Sequence, residues 1–220
     1  YFLMEYVEGE FLFDILLDNP QPWHEHVGWY MMSLCETLHY IQRTTARLHL
    51  NINPDVLLVR RNNAGIPQPV LLDMGLQIPP ETLVTSENLS QLQRHLLPAY
   101  TPPQLVTGGV ITTRADVFCL GLIMYEMLAG HPAYPYLRRR TEDIYRAVRD
   151  LPPPLQRADL PVMPRFVRRT KRIPVAMLEV LRQAIGEQGE TAYTDVSELR
   201  HALFMLYGKI ADRFRFDLDQ

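Results

Sequence analysis

The chain has 220 residues, 47% of them hydrophobic and 21% charged, with no low-complexity block, so it can bury one substantial core as a single unit. A formal net charge of -3 argues against nucleic acid or an anionic membrane as the main partner. No apolar run reaches the ~18 residues of a spanning helix, and the N-terminus lacks the basic, apolar, small-residue order of a signal peptide.

In chain order, residues 1–9 read as an apolar strand ending at a Gly9 turn. The chain opens at Tyr1 without a methionine, already inside this strand, the pattern of an excerpt or a processed piece. Phe11 to Leu17 forms a short apolar helix, stopped by Asn19-Pro20. Val27, Met31, Leu34, Leu38 and Ile41 recur at spacings of 4, 3, 4 and 3, which puts one apolar face on a helix over residues 24–45. His24 and His26 lie two apart and point to different faces, so with His39 they read as solvated histidines rather than metal ligands. Cys35 and Cys119 sit in apolar helical segments, which suits buried thiols in a reducing, cytoplasmic compartment better than a disulfide framework.

A polar loop, His49-Leu50-Asn51-Ile52-Asn53-Pro54-Asp55, then closes onto an apolar strand. The chain turns at Asn62-Asn63-Ala64-Gly65, and a second strand ends on Asp73-Met74-Gly75. Residues 73–104 are poor in periodic apolar pattern and hold Pro79-Pro80, Thr82, Thr85, Ser86 and Ser90. Ala115 to Leu128 is apolar on nearly every face, the mark of a helix inside the domain, with Asp116 as its one early charge. Gly130-His131-Pro132 ends it. Ile144, Val148 and Leu151 line a further short helix before Pro152-Pro153-Pro154. Two more amphipathic helices carry Leu178, Leu181 and Ile185, and then Val196, Leu199, Leu203 and Leu206.

These landmarks together resemble the large lobe of a eukaryotic-type (Hanks-type) Ser/Thr protein kinase. The His49 loop resembles the catalytic loop H-R-D-x-K-P-x-N, and Asp73-Met74-Gly75 resembles D-F-G. Tyr100 to Gln104 resembles the end of the activation segment, and Asp116 to Gly121 resembles D-V-W-S-L-G. The fold class expected is mainly α with a short β-hairpin, a kinase-like C-lobe, α+β overall. Its parts would be a hinge at 1–9, a catalytic-loop remnant at 47–59, an activation segment at 73–104, a helical subdomain at 113–207 and a tail at 208–220. The family's small-lobe features, its Gly-rich loop, strand Lys and helix Glu, have no counterpart in these residues.

The resemblance also exposes departures. The family's catalytic Asp falls on Asn51, its Lys on Asn53, its metal-binding Asn on Val56, and the Arg after the His on Leu50. Leu97 takes the place of the Thr that contacts the catalytic Asp and Lys. Gln104 and Ala192 stand where the family has an ion-paired Glu and Arg; losing both is accommodated more easily than losing one, which strands a buried charge. His49 and Asp116 keep structural roles, the Asp capping the backbone of the loop.

The function implied by these departures is that of a catalytically inactive, protein-binding or regulatory domain, a pseudokinase that requires no cofactor. Weak binding of ATP with Mg remains open, and so does unorthodox phosphotransfer through Asp73. The resemblance would put nucleotide contacts at Glu5, Val7, Leu58 and Asp73, a single metal at Asp73 and a gatekeeper at Met4, while Phe11 replaces a polar ribose contact. Arg165, Arg168, Arg169, Lys171 and Arg172 place five cations within eight residues. Such a run is most often a solvated face. The dominance of Arg, and the interleaved Phe166, Val167 and Ile173, favour docking of an acidic or phosphorylated protein segment.

Overall fold

The computed structural model describes residues 5–18, 27–63, 65–135, 140–149, 173–186 and 192–214, with the main chain alone at 173–175 and 207–214. Met4, His24, His26, Leu151 and the basic run from Arg165 to Arg172 lie outside the described residues.

Helix α5 (Arg114–Ala129) is the axis of the domain. It is apolar on every side, so it reaches low free energy only when surrounded, and every residue from Arg114 to Leu128 is buried. Helices α2 (Val27–Thr45), α7 (Ile173–Ile185) and α8 (Val196–Phe214) pack around it. Gly121 lets α7 approach closely, since a Cβ there would lie 2.2 Å from Ile185 Cγ2. The helix ends at Gly130, whose left-handed φ of 78° turns its N–H onto the Glu126 carbonyl.

The α2 face expected from sequence is the one that is buried, widened by Tyr30 and Cys35. Against it lies α8, tied by Arg200 to Glu36 at 2.6 Å and by Ser197 Oγ to His39 Nδ1 at 2.8 Å. His39 is thus a side-chain tie between helices. On α7 the buried face is Met177, Val180, Leu181, Ala184 and Ile185, with Leu178 half-buried at its margin. Val196, Leu199 and Leu203 of α8 are fully buried, as are Ile144 and Val148 of α6 (Thr141–Val148) to within a few percent.

Three strands form an antiparallel sheet in the order β1-β2-β3: β1 (Glu10–Phe11), β2 (Leu57–Arg61) and β3 (Pro67–Leu71). Phe11 therefore belongs to a strand, and helix α1 (Leu12–Asp18) starts one residue later. The hairpin register runs from Leu57 opposite Leu71 to Arg61 opposite Pro67. Two prolines are tolerated in β3 because it is an edge strand.

Residues 73–104 are more ordered than the sequence suggests. Strand β4 (Thr82–Val84) pairs antiparallel with β5 (Gly109–Ile111), and α3 (Ser86–Gln93) and α4 (Gln104–Thr107) flank the pair. The start of α3 is held by the Thr85 N–H, which donates to Asn88 Oδ1 at 3.0 Å, an Asn variant of the capping box. Its two leucines, Leu89 and Leu92, are too few to give a periodic signal. The result is an α+β fold of mainly helical content. Among the described residues no helix is long and apolar enough to cross a membrane.

Candidate functional site

Asp116 organises the site from below. Its side chain is fully buried near the start of α5, where Oδ1 accepts the Leu50 N–H at 2.7 Å and Oδ2 accepts the His49 N–H at 3.0 Å. Gln42 of α2 adds its Nε2 to Oδ2 at 2.8 Å. A buried carboxylate with three donors is well compensated, and these bonds fix the loop at Leu50, a non-glycine residue with φ 64°.

His49 joins this loop to the Asp73 turn. The Asn51 N–H can only donate, so His49 Nδ1 accepts it at 3.3 Å, and the ring's proton lies on Nε2, which donates to the Asp73 carbonyl at 2.8 Å. Returning from the turn, the Leu76 N–H donates to the His49 carbonyl at 2.8 Å. Gly75 makes this approach possible: its φ is 68°, and a Cβ there would lie 2.1 Å from the His49 oxygen.

The orientation of the two asparagines follows from one backbone donor. The Asp55 N–H donates to Asn53 Oδ1 at 3.0 Å, so the amide nitrogen of Asn53 must face the other way. That nitrogen donates to the Asn51 carbonyl at 2.9 Å and to Asn51 Oδ1 at 3.0 Å. Asn51 in turn points its own Nδ2 at Asp73 Oδ2, 3.5 Å away. The four residues form a directed chain of neutral amides ending on a carboxylate. Asn53 is buried, Asn51 half-buried and Asp73 exposed.

Of the other expected positions, Val56 is half-buried and braces the sheet through its carbonyl, which accepts the Leu72 N–H at 2.9 Å. Leu58 is only 5% exposed; it lies opposite Phe11 and beneath Gly9, where a Cβ would approach its Cδ2 to 2.6 Å. Glu5 is exposed and Val7 half-buried, both outside any helix or strand. Leu97 packs half-buried against the main core, and its carbonyl accepts the Thr101 hydroxyl at 3.1 Å.

Three features escaped the sequence reading. Tyr100 donates its hydroxyl to Glu126, whose carboxyl burial pushes above the usual range while the tyrosine bond opposes the shift. Arg114 is 8% exposed and meets carbonyls of Gln183, Gly186 and Tyr193 at 3.2, 2.7 and 2.7 Å. It thereby ties the start of α5 to the end of α7 at Gln183 and Gly186 and to Tyr193 ahead of α8. Gln104 Oε1 is buried with no hydrogen-bond partner among the described residues. Glu126 and Arg114 were visible as charges in an apolar helix, but their partners lie 26 and 69 to 79 residues away in sequence.

Residues 1–182 match the protein kinase domain family. This chain belongs to the protein kinase family. It is of the Hanks type. The serine/threonine-protein kinase PknB of Mycobacterium leprae is 26% identical over 211 residues, 94% of this chain and 30% of that protein. Pkn2 of Myxococcus xanthus, also a serine/threonine-protein kinase, is 29% identical over 131 residues, 58% of this chain and 15% of that protein. Human serine/threonine-protein kinase DCLK3 is 24% identical over 151 residues, 67% of this chain and 22% of that protein. The chain thus spans less than a third of the length of these relatives.

Within this kinase-family domain the donor set does not fit the pair of metal ions expected of a catalytic site. Val56 offers no side-chain ligand, Asn51 Oδ1 is engaged by Asn53, and Asp73 stands as a single carboxylate. Among the described residues no three His, Cys, Asp or Glu side chains lie together as in an all-protein metal cage; a Mg ion carried with nucleotide phosphates needs only one or two carboxylates.

Proposed function

We propose that this domain is a pseudokinase, a kinase fold that works by binding protein rather than by transferring phosphate. The observation that carries the reading is the amide chain from Asn53 through Asn51 to Asp73. Phosphotransfer needs a base for the acceptor hydroxyl and cations on the transferring group. A carboxamide is no base at any working pH, and neither Asn53 nor Val56 brings or holds a positive charge. The fold around these positions is nevertheless fully tied, which suits a domain kept for its surfaces. The basic run from Arg165 to Arg172 is the stretch of sequence we assign to binding an acidic or phosphorylated protein segment, and a cytoplasmic setting suits the buried thiols Cys35 and Cys119.

A second reading rests on the exposed Asp73 and on relatives that are named as kinases: weak nucleotide binding with one Mg ion, or residual transfer. The full-length protein carrying Asn51→Asp separates the two. Because the parts of a catalytic site act as a unit, the restored acid should rescue no transfer while Asn53, Val56 and Leu97 remain. Metal-dependent labelling that is present in the wild type and indifferent to Asn51 would overturn the pseudokinase reading.

A further inference from the structure

Residues 1–42 contain no Lys or Arg, and three of their acids, Glu10, Asp14 and Asp18, line one groove. The groove has a volume of about 480 Å³ and is built from β1 and α1, with Arg61 at the end of β2 also lining it. Phe11, 39% exposed, and the half-buried Ile15 supply apolar area between the carboxylates. Arg61 donates to the Gly65 carbonyl at 3.1 Å. Asp14 and Asp18 stand one turn apart on α1, a like-charge pair that costs stability unless a cation meets it. None of the three acids has an ion-pair partner among the described residues. Their field reaches the next loop, where the Asp55 carboxyl is pushed above its usual range by burial and then by the charge of Asp14.

Carboxylates set around apolar area fit a segment whose cations are interleaved with apolar side chains. The chain itself contains one, since Phe166, Val167 and Ile173 stand among the cations of the run from Arg165 to Arg172. We propose that the groove of one molecule docks the Arg165–Arg172 run of a second copy, so that the protein associates head to tail. An arginine fork meets a carboxylate with two parallel hydrogen bonds, and an apolar side chain beside it covers Phe11 and Ile15. Groove and run are different parts of one chain, so the contact is heterologous and repeats from molecule to molecule. The proposal rests on the reading of the run as a docking segment and names this groove as its acidic partner.

Sedimentation velocity of the full-length protein tests it. The wild type should associate with rising concentration at low salt, and added salt should reverse this. Asp14→Asn with Asp18→Asn, both exposed positions, should weaken association by about tenfold or more, and so should Arg168→Gln with Arg169→Gln. Mixing the two variants leaves one intact groove and one intact run, so the mixture should form pairs and nothing larger. Recovery on mixing also shows that both variants are folded. A wild type that stays monomeric at low salt, or variants that associate as the wild type does, would overturn the proposal. A mixture that stays monomeric would overturn it equally, as when each run docks on its own groove. Binding of a labelled polyglutamate peptide by a monomeric wild type would overturn the groove as partner while keeping the run as a docking segment. Failure of that peptide to bind as well would overturn both.

Discussion

Replacing Asp116 with Ala should lower the melting temperature by about 10 °C, since two buried backbone N–H groups lose their acceptor at roughly 4 kcal/mol together. The two donors are the amides of His49 and Leu50, and Gln42 loses its partner as well. Water cannot replace the carboxylate readily at a fully buried position. Asp116→Asn should rescue little. It keeps one oxygen acceptor, but its NH₂ group then faces either the Leu50 N–H or both the His49 N–H and the Gln42 amide. Thermal unfolding of both variants checks this, and a fall of under about 3 °C for the alanine would mean that the loop is held by something other than this cap.

Gly75→Ala should be comparably severe, with a loss of about 3–5 kcal/mol. The added Cβ would lie 2.1 Å from the His49 oxygen and 2.5 Å from His49 Nδ1. Relief requires moving the backbone that receives the Leu76 N–H and the ring that reaches the Asp73 carbonyl. Gly65→Ala provides the control for backbone strain alone. Its φ of 76° is similar, yet nothing lies within 4 Å of the new Cβ. That change should cost about 1 kcal/mol, the ordinary penalty of the left-handed region. Equal losses at the two glycines would show that close packing of the Asp73 turn on the loop contributes nothing.

The parts of this fold that were legible in sequence are those in which composition alone decides the environment. An all-round apolar helix has to be central, so α5 and its one early carboxylate, Asp116, could be placed before any contact was known. The α2 face followed from spacing, and the hairpin from its turn residues. By contrast, α3 is stabilised by a cap and by two leucines that meet a distant cluster, and no period marks it. Arg114 could be seen as a lone cation in α5, but its three carbonyl partners lie 69 to 79 residues away. Leu50 was legible as a departure from the family's arginine; its burial was not, because the residues that cover it come from β4, α4 and β5. The substitutions at Asn51 and Asn53 were equally plain, while the directed hydrogen bonds between them depend on the Asp55 N–H, whose position is set only by the folded loop.

These details converge on a catalytic loop that keeps its shape through neutral hydrogen bonds and a buried carboxylate, at positions where chemistry would demand a base and charge. Transfer of labelled phosphate from ATP, measured on the full-length protein with Mg or Mn beside its Asp73→Ala variant, tests this most directly. The account predicts that the wild type and the variant give the same signal, at the level of a sample without protein. Transfer above that level that disappears with Asp73→Ala would contradict it, and would identify the exposed carboxylate as part of a working active site.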